Sequence, residues 1–197
     1  DTIRVTPGGA TSGEWDLTLE YRGTETVSPR GERRAAGRPY RFSYARYEPA
    51  ADWSMRFYTW SDSTDLRNRP EAFDAVSATT PLLTRRGSRL DFEWYRPTIK
   101  ELPLTHWALD ADATIALPPG EYTIRTISDD GVEVWLGERK VISNWAPHES
   151  VVDTASMGGG VHRLKVRYYQ VDGWTELRLE ILRRSPPLPL PTAGRVP

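Results

Sequence analysis

Hydrophobic and polar side chains alternate along most of this chain, and the alternation is clearest between residues 122 and 145. Every second position from Tyr122 onward is apolar or β-branched, and the pattern resumes from Val132 to Leu136. Strict alternation is typical of a strand with two different faces. The residues between the two runs, Ser128 to Gly131, combine Asp and Gly, which favour tight turns. The stretch therefore predicts two strands joined by an acidic turn, with a third strand after them.

The same two-residue period recurs elsewhere, whereas no long stretch has a helical period. Alternating runs occupy Trp15–Tyr21, Tyr40–Tyr44, Leu90–Tyr95, His162–Tyr168 and Thr175–Ile181. Between the last two runs, Asp172 and Gly173 predict a hairpin turn. Residues 53–60 carry aromatic side chains on both faces, so we expect that strand to be covered on both sides. Together with frequent Gly and Pro, these patterns predict an all-β fold.

Other segments give weaker predictions. Residues 61–87 show no clear period, apart from one helical turn predicted at Glu71–Val76. Pro118–Gly120 is expected to end a strand, and the glycines of Met157–Gly160 predict a flexible turn. Asp110 and Asp112 resemble the start of a calcium-binding EF-hand loop but lack its later Gly and Glu, so we interpret them as a turn.

Composition narrows the classes of function. The chain has 197 residues and no cysteine, which excludes disulfides, thiolate metal sites and cysteine nucleophiles. Its 26 basic and 27 acidic residues leave a net charge of −1, so we expect no nucleic-acid partner. No apolar run approaches the roughly 20 residues of a membrane-spanning helix, so we expect no membrane-spanning segment.

Catalytic motifs are missing from the sequence. It contains no nucleophile elbow, phosphate-binding loop, His-Glu-x-x-His motif or dinucleotide fingerprint. The three histidines, His106, His148 and His162, are far apart in the chain. A glycosidase needs only two carboxylates, which sequence does not exclude. We nevertheless predict that this chain is not an enzyme.

The central stretch resembles a known family. The sequence Ser128-Asp-Asp-Gly-Val, followed by Trp135-Leu, Val141-Ile and Asn144-Trp145, is similar to the PA-fourteen domain, the protective-antigen-type β-barrel of bacterial toxins, flocculins, adhesins and glycosidases. Weaker similarity extends from about Trp53 to about Leu182. The resemblance implies an antiparallel β-barrel or β-sandwich at 52–183. Residues 1–51 would be an N-terminal β extension packed on that barrel, and 184–197 a proline-rich linker or tail.

The resemblance also implies a site. In lectin members of this family, the matching aspartates are joined by a cis peptide bond and bind calcium, which coordinates hydroxyl groups of a sugar. Here those residues are Asp129 and Asp130. Calcium needs six to eight oxygen ligands, so a second loop must contribute. We therefore predict Asp172 as a third metal ligand and Trp174 as a surface for stacking on the sugar ring.

Two functions remain open from the sequence. The first is a non-catalytic carbohydrate-binding module, calcium-dependent, in an extracellular, cell-surface or periplasmic protein, with a glycan or polysaccharide as its partner. The alternative is a structural or protein-interaction module that docks a neighbouring domain or subunit without binding sugar. In that case Asp129 and Asp130 would only bond the backbone of the turn.

Overall fold

The computed structural model describes residues 51–183 in full, together with the backbone of residues 13–20, 25–27, 33–35 and 41–48. The predicted proline-rich tail, 184–197, lies outside the described residues, as do residues 1–12.

The described part of the chain is built almost entirely of strands. Their bounds are β1 Gly13–Glu20, β2 Glu25–Val27, β3 Arg33–Ala35, β4 Arg41–Glu48, β5 Trp53–Thr59, β6 Leu83–Gly87, β7 Asp91–Trp94, β8 Trp107–Asp129, β9 Val132–Leu136, β10 Arg139–Asn144, β11 Val151–Gln170 and β12 Thr175–Arg183. The helical turns are Asp62–Thr64, Pro70–Ala72 and α1, Phe73–Ser77. None of the helices among the described residues is long and apolar enough to cross a membrane.

Ten strands form one antiparallel sheet that folds over its own core. The order along the main path is β1-β4-β12-β8-β11-β9-β10; β5 joins β8, β6 joins β5 and β7 joins β12. Strands β2 and β3 form a separate pair. The prediction of an all-β, antiparallel, sandwich-like fold is therefore confirmed. The helical turn predicted at Glu71–Val76 is also confirmed, since Pro70–Ala72 leads directly into α1.

One predicted strand end and two predicted turns are wrong, because two strands run through these segments. The strand β8 continues across Pro118–Gly120, and β11 continues across Met157–Gly160. The two irregular stretches lie opposite each other, where the register of the β8–β11 pair shifts between Gly158 and Gly160. A Cβ at Gly159 would lie 2.3 Å from the carbonyl oxygen of Pro118, so a bare backbone is needed for this close approach.

The third wrong prediction is the turn at Asp110 and Asp112. Both residues lie inside β8, which is paired with β5 on one side and β11 on the other. The guanidinium of Arg56 on β5 donates hydrogen bonds to both carboxylates, at 3.1 and 2.7 Å. Cross-strand charge pairing thus accommodates acidic residues that the sequence alone suggests as turn formers.

The strand β5 is covered on both faces, as predicted. Trp53 and Phe57 belong to the main core inside the folded sheet. Tyr58 and Trp60 point the other way into a second core, which the segment containing α1 closes. Its members include Phe73, Trp145 and Tyr169, and Trp145 Nε1 donates a hydrogen bond to the carbonyl of Leu66 at 2.8 Å. The segment 61–79 is therefore anchored next to the end of β11.

Of the N-terminal strands, β1 and β4 extend the same sheet. β1 pairs with β4 along its whole length, and β4 meets β12 at one register pair, Tyr47 with Ile181. The domain boundary expected at residue 51 stays a prediction.

Candidate functional site

Asp129 and Asp130 lie where β8 ends and the chain turns into β9. Asp129 is the last residue of β8 and pairs with Glu176 of β12, while Val132 begins β9. The peptide bond between the two aspartates is cis, as the resemblance implies. Both side chains are largely buried.

The Asp130 carboxylate joins three separate segments. It accepts hydrogen bonds from the backbone N–H of Val171 at 2.7 Å and of His148 at 3.3 Å. Burial raises the pKa of Asp130, and the two backbone hydrogen bonds oppose that rise. Because each carboxylate oxygen has two lone pairs, these bonds leave Asp130 able to accept a further partner. Asp130 therefore holds the loops after β10 and β11 against the turn after β8.

The Asp129 carboxylate is buried differently. The residue is 9% exposed, yet no described residue donates a hydrogen bond to its side chain. Burial, followed by the charge of neighbouring Asp130, raises the pKa of Asp129 to about 6; Glu149 and Glu176 add to this, and His148 opposes it. The charge of His148 only partly offsets the repulsion between the two neighbouring carboxylates, since the pKa of Asp129 is still raised. Its environment favours the approach of a proton or a metal ion.

A buried polar network connects this turn to the loop between β11 and β12. The Tyr168 hydroxyl contacts both the backbone carbonyl of Asp129 and Oε1 of Gln170. Gln170 is fully buried, and its Nε2 donates hydrogen bonds to the carbonyls of Asp172, at 2.7 Å, and Trp174, at 2.9 Å. The side chain of Gln170 thereby fixes the loop 171–174 relative to Asp129.

Gly131, directly after the acidic pair, packs against an aromatic ring. A Cβ at this position would lie 2.2 Å from Cε1 of Tyr169, closer than any real contact. The carbonyl of Gly131 accepts a hydrogen bond from the Tyr169 backbone N–H at 3.0 Å. The turn is therefore seated on β11, and glycine is required by lack of space.

The structure brings Trp174 next to an aromatic residue that sequence reasoning overlooked. Tyr95, just after β7, is 71% exposed, and Trp174 is 37% exposed. Their ring centroids are 6.4 Å apart at an interplanar angle of 49°. The pairing of Thr175 with Trp94 in the β7–β12 ladder places the two rings together. An exposed pair of this kind offers an apolar surface to a ligand.

Asp172 lies in the loop between β11 and β12, and its charge adds to the effect of burial in raising the pKa of Asp130. Its side chain is exposed. Among the fully described residues, no group of three His, Cys, Asp or Glu side chains is arranged to hold a metal ion. The assignment of Asp172 as a third ligand stays a prediction, and Gln170 holds the backbone of its loop through two main-chain carbonyls.

The remaining oxygen donors still match a hard cation. Two adjacent carboxylates and nearby main-chain carbonyls are the ligand types that calcium prefers, with water or ligand hydroxyls completing its shell. The assignment of Asp129 and Asp130 as metal ligands stays a prediction.

Sequence reasoning missed Gln170 and Tyr95. Gln170 lies at the apolar end of a strand, where a buried amide needs partners, and that position was a usable signal. Tyr95 had no local signal, because only the pairing of β7 with β12 brings it to Trp174.

A comparison with family models identifies the family of this chain. A family model described as the PA14 domain matches residues 55–188. Among solved structures, the chain is similar to an anti-sigma factor domain-containing protein, with a TM-score of 0.55 and 16% identity, covering 68% of this chain and 43% of that chain. The match thus spans less than half of that protein. No curated protein matches the chain significantly.

Two further structural neighbours carry sugar binding in their names. One is the PA14 sugar-binding domain from an RTX adhesin, with a TM-score of 0.52 and 16% identity, covering 68% of this chain and 90% of that one. The other is the A domain of epithelial adhesin 6 from Candida glabrata, in complex with Galb1-3GlcNAc, with a TM-score of 0.54 and 12% identity. The match covers 72% of this chain and 82% of that chain. At sequence identities of 12% and 16%, these structural similarities show a shared fold alone.

Proposed function

This chain belongs to the PA14 domain family, and from that premise we propose that it is a calcium-assisted, non-catalytic carbohydrate-binding module. The observation that carries the proposal is the buried Asp129 carboxylate, which accepts no hydrogen bond from any described residue and lies beside Asp130. We further propose that the parent protein is extracellular, on the cell surface or periplasmic.

In this proposal each group has a separate role. Asp129, Asp130 and Asp172 hold the ion, with main-chain oxygens of the loop 171–174. When bound, calcium supplies positive charge and coordination positions for the hydroxyl groups of a sugar. Asp130 keeps the loops in position through its bonds to Val171 and His148. Trp174 and Tyr95 form an apolar surface for one face of the sugar ring.

A glycan array probed with and without calcium tests the proposed function. We expect the wild-type chain to bind one or more glycans in millimolar calcium and to lose that binding in excess EDTA. The array should be repeated with Asp129→Asn and with Glu121→Ala as the matched control, since Glu121 is exposed and lies on β8 eight residues before Asp129. Glycan binding that survives both EDTA and Asp129→Asn would overturn the proposal.

Replacing Trp174 with alanine should weaken glycan binding by about tenfold, because an aromatic contact contributes roughly 0.5–1.5 kcal/mol beyond the area it buries. Calcium binding should be unchanged, since the Trp174 side chain is outside the proposed ligand set. Titration calorimetry with calcium alone and then with the best array glycan separates the two effects. Tyr95→Phe, which keeps the ring, is the matched control and should bind like the wild type. Equal glycan affinity in Trp174→Ala would contradict the stacking role.

Protons should compete with calcium for Asp129. With a pKa of about 6, this carboxylate is mostly ionised near neutral pH and mostly protonated one unit below its pKa. We therefore expect calcium affinity to fall by about tenfold from about pH 7 to about pH 5. Calorimetry over this range is the measurement, and Glu121→Ala should show the same dependence. A flat profile would exclude Asp129 as a ligand.

Without calcium, the same group should make the fold less stable as pH rises. The pKa of Asp129 is higher in the folded chain than the usual 3.8, so the folded state binds the extra proton between these two values. Its contribution to the free energy of unfolding therefore decreases from about pH 4 to above pH 6. Calcium should remove this loss.

A further inference from the structure

A cavity lies on the outer face of the sheet, away from the acidic turn. It has a volume of about 440 Å³, and four of its eight lining residues are cations, while two are acids. Ligand pockets commonly span roughly 300–1,000 Å³. The aromatic residue in the lining is Trp135, on β9 five residues after Asp130, which is roughly 15 Å along a strand. The cavity is therefore separate from the proposed calcium site.

Strand register explains why these groups meet. Trp135 on β9 lies opposite Lys165 on β11, and Lys165 lies opposite Asp112 on β8. Residues 163, 165 and 167 of β11 share one face of the strand because successive side chains alternate. The turn after β9 closes one side, where the backbone N–H of Gly137 donates a hydrogen bond to the carbonyl of Arg163 at 2.8 Å.

The Trp135 ring is held in place by cations. The distances to its centroid are 5.1 Å from Lys140 Nζ, 5.4 Å from Arg167 Cζ and 5.9 Å from Lys165 Nζ. Such contacts are within the range of favourable cation–π interactions. The half-buried ring is thus oriented before any ligand arrives, which lowers the entropy cost of binding.

The cations around the cavity differ in how fully they are neutralised. Arg56 is bound by Asp110 and Asp112, and Arg167 donates to Asp74 at 2.6 Å. Among residues 51–183, the ion-pair partner of Lys165 is distant, Asp110 at 3.9 Å. Arg163 is exposed and has no ion-pair partner among residues 51–183. Positive charge is therefore available at Arg163 and Lys165.

We propose that this cavity, defined by Trp135, Arg163 and Lys165, is a second binding site that takes an acidic sugar, such as a uronic acid unit of a polysaccharide. The sugar carboxylate binds Arg163 and Lys165 through charge-assisted hydrogen bonds. Its ring packs on Trp135, and its hydroxyl groups donate to the carboxylates of Asp112 and Glu138. Those two carboxylates disfavour a compact anion such as phosphate, because they repel its concentrated negative charge and it offers fewer hydroxyl donors than a sugar ring.

Titration calorimetry with an oligogalacturonate, in EDTA, tests the second site. We expect binding by the wild-type chain and by Asp129→Asn, because the cavity does not need calcium. Binding of oligogalacturonate by Asp129→Asn in EDTA therefore distinguishes failure of the second site from failure of the calcium site. Arg163→Gln should weaken binding at least tenfold, and Lys100→Gln, which changes an exposed cation outside the cavity, should leave it unchanged. An uncharged galactan oligomer should not bind in EDTA.

Several outcomes would overturn the proposal. One is the absence of oligogalacturonate binding at millimolar concentration. Another is equal affinity in Arg163→Gln and the wild type. A third is equal affinity for an oligoglutamate peptide, which would assign the cavity to acidic proteins. Trp135→Ala should also weaken oligogalacturonate binding at least tenfold. If Trp135→Ala fails to fold, Arg163→Gln still tests the proposal, because Arg163 is exposed and its replacement leaves the core intact.

Discussion

Replacing Gly131 with alanine should lower the free energy of unfolding by about 3 kcal/mol, the upper range for overpacking a close-packed interior. The new methyl carbon would lie 2.2 Å from the Tyr169 ring. That ring is buried and is packed against Trp145, with centroids 4.8 Å apart, so it cannot move aside without disturbing the second core. Urea unfolding followed by fluorescence measures the change.

The chain provides a matched control for Gly131→Ala. Gly158 has no atom within 4 Å of its ideal Cβ position, so Gly158→Ala should change the free energy of unfolding by no more than about 0.5 kcal/mol. Gly131→Ala should also abolish calcium binding, because the backbone carrying Asp129 and Asp130 must shift. Similar unfolding midpoints for the two variants would show that Tyr169 yields easily and that the turn is not tightly seated.

Substituting the two aspartates should abolish calcium binding in both cases but change stability in opposite directions. Asp129→Asn removes a buried charge that has no hydrogen-bond donor among the described residues, so the calcium-free chain should become more stable by about 1 kcal/mol near neutral pH. Asp130→Ala removes the acceptor for two backbone N–H groups, so it should cost about 2 kcal/mol. Thermal melts with and without millimolar calcium measure both effects.

The wild type should melt at a higher temperature in calcium, because a ligand of the native state stabilises it by mass action. Neither aspartate variant should show that increase, whereas Glu121→Ala should, since Glu121 is exposed and lies on β8 eight residues before Asp129. If Asp129→Asn were less stable than the wild type without calcium, the carboxylate would have a favourable partner. If both variants kept the calcium-dependent increase, the ion would bind elsewhere.

The two substitutions change stability in opposite directions because the neighbouring aspartates have different roles. Asp130 is satisfied by main-chain amides and holds three segments together. Asp129 is buried without such partners, and its raised pKa shows that burial disfavours the ionised carboxylate. Sites that bind ions commonly carry groups that reduce the stability of the empty fold. The sequence places the two aspartates side by side but does not distinguish their roles.

The alternation of side chains was sufficient to predict most strands, the acidic turn and the covering of β5 on both faces. A two-residue period reports which side of a strand is buried, and that information is local. It failed at Pro118–Gly120, Met157–Gly160 and Asp110–Asp112, where local turn preferences were overridden by pairing with neighbouring strands. The strand runs through each of these segments because residues far away in the chain accommodate its irregular backbone or pair with its charges.

By itself, the sequence determined an all-β chain with two adjacent carboxylates at a strand end and a tryptophan in a later loop. Only the tertiary structure decided that Asp130 binds the Val171 amide 41 residues away, that Gln170 fixes the loop of Trp174, and that Tyr95 lies beside that ring. It also gathered Trp135, Arg163 and Lys165 around one cavity. The physical reason is that these contacts depend on strand order and register, which result from packing of the whole sheet.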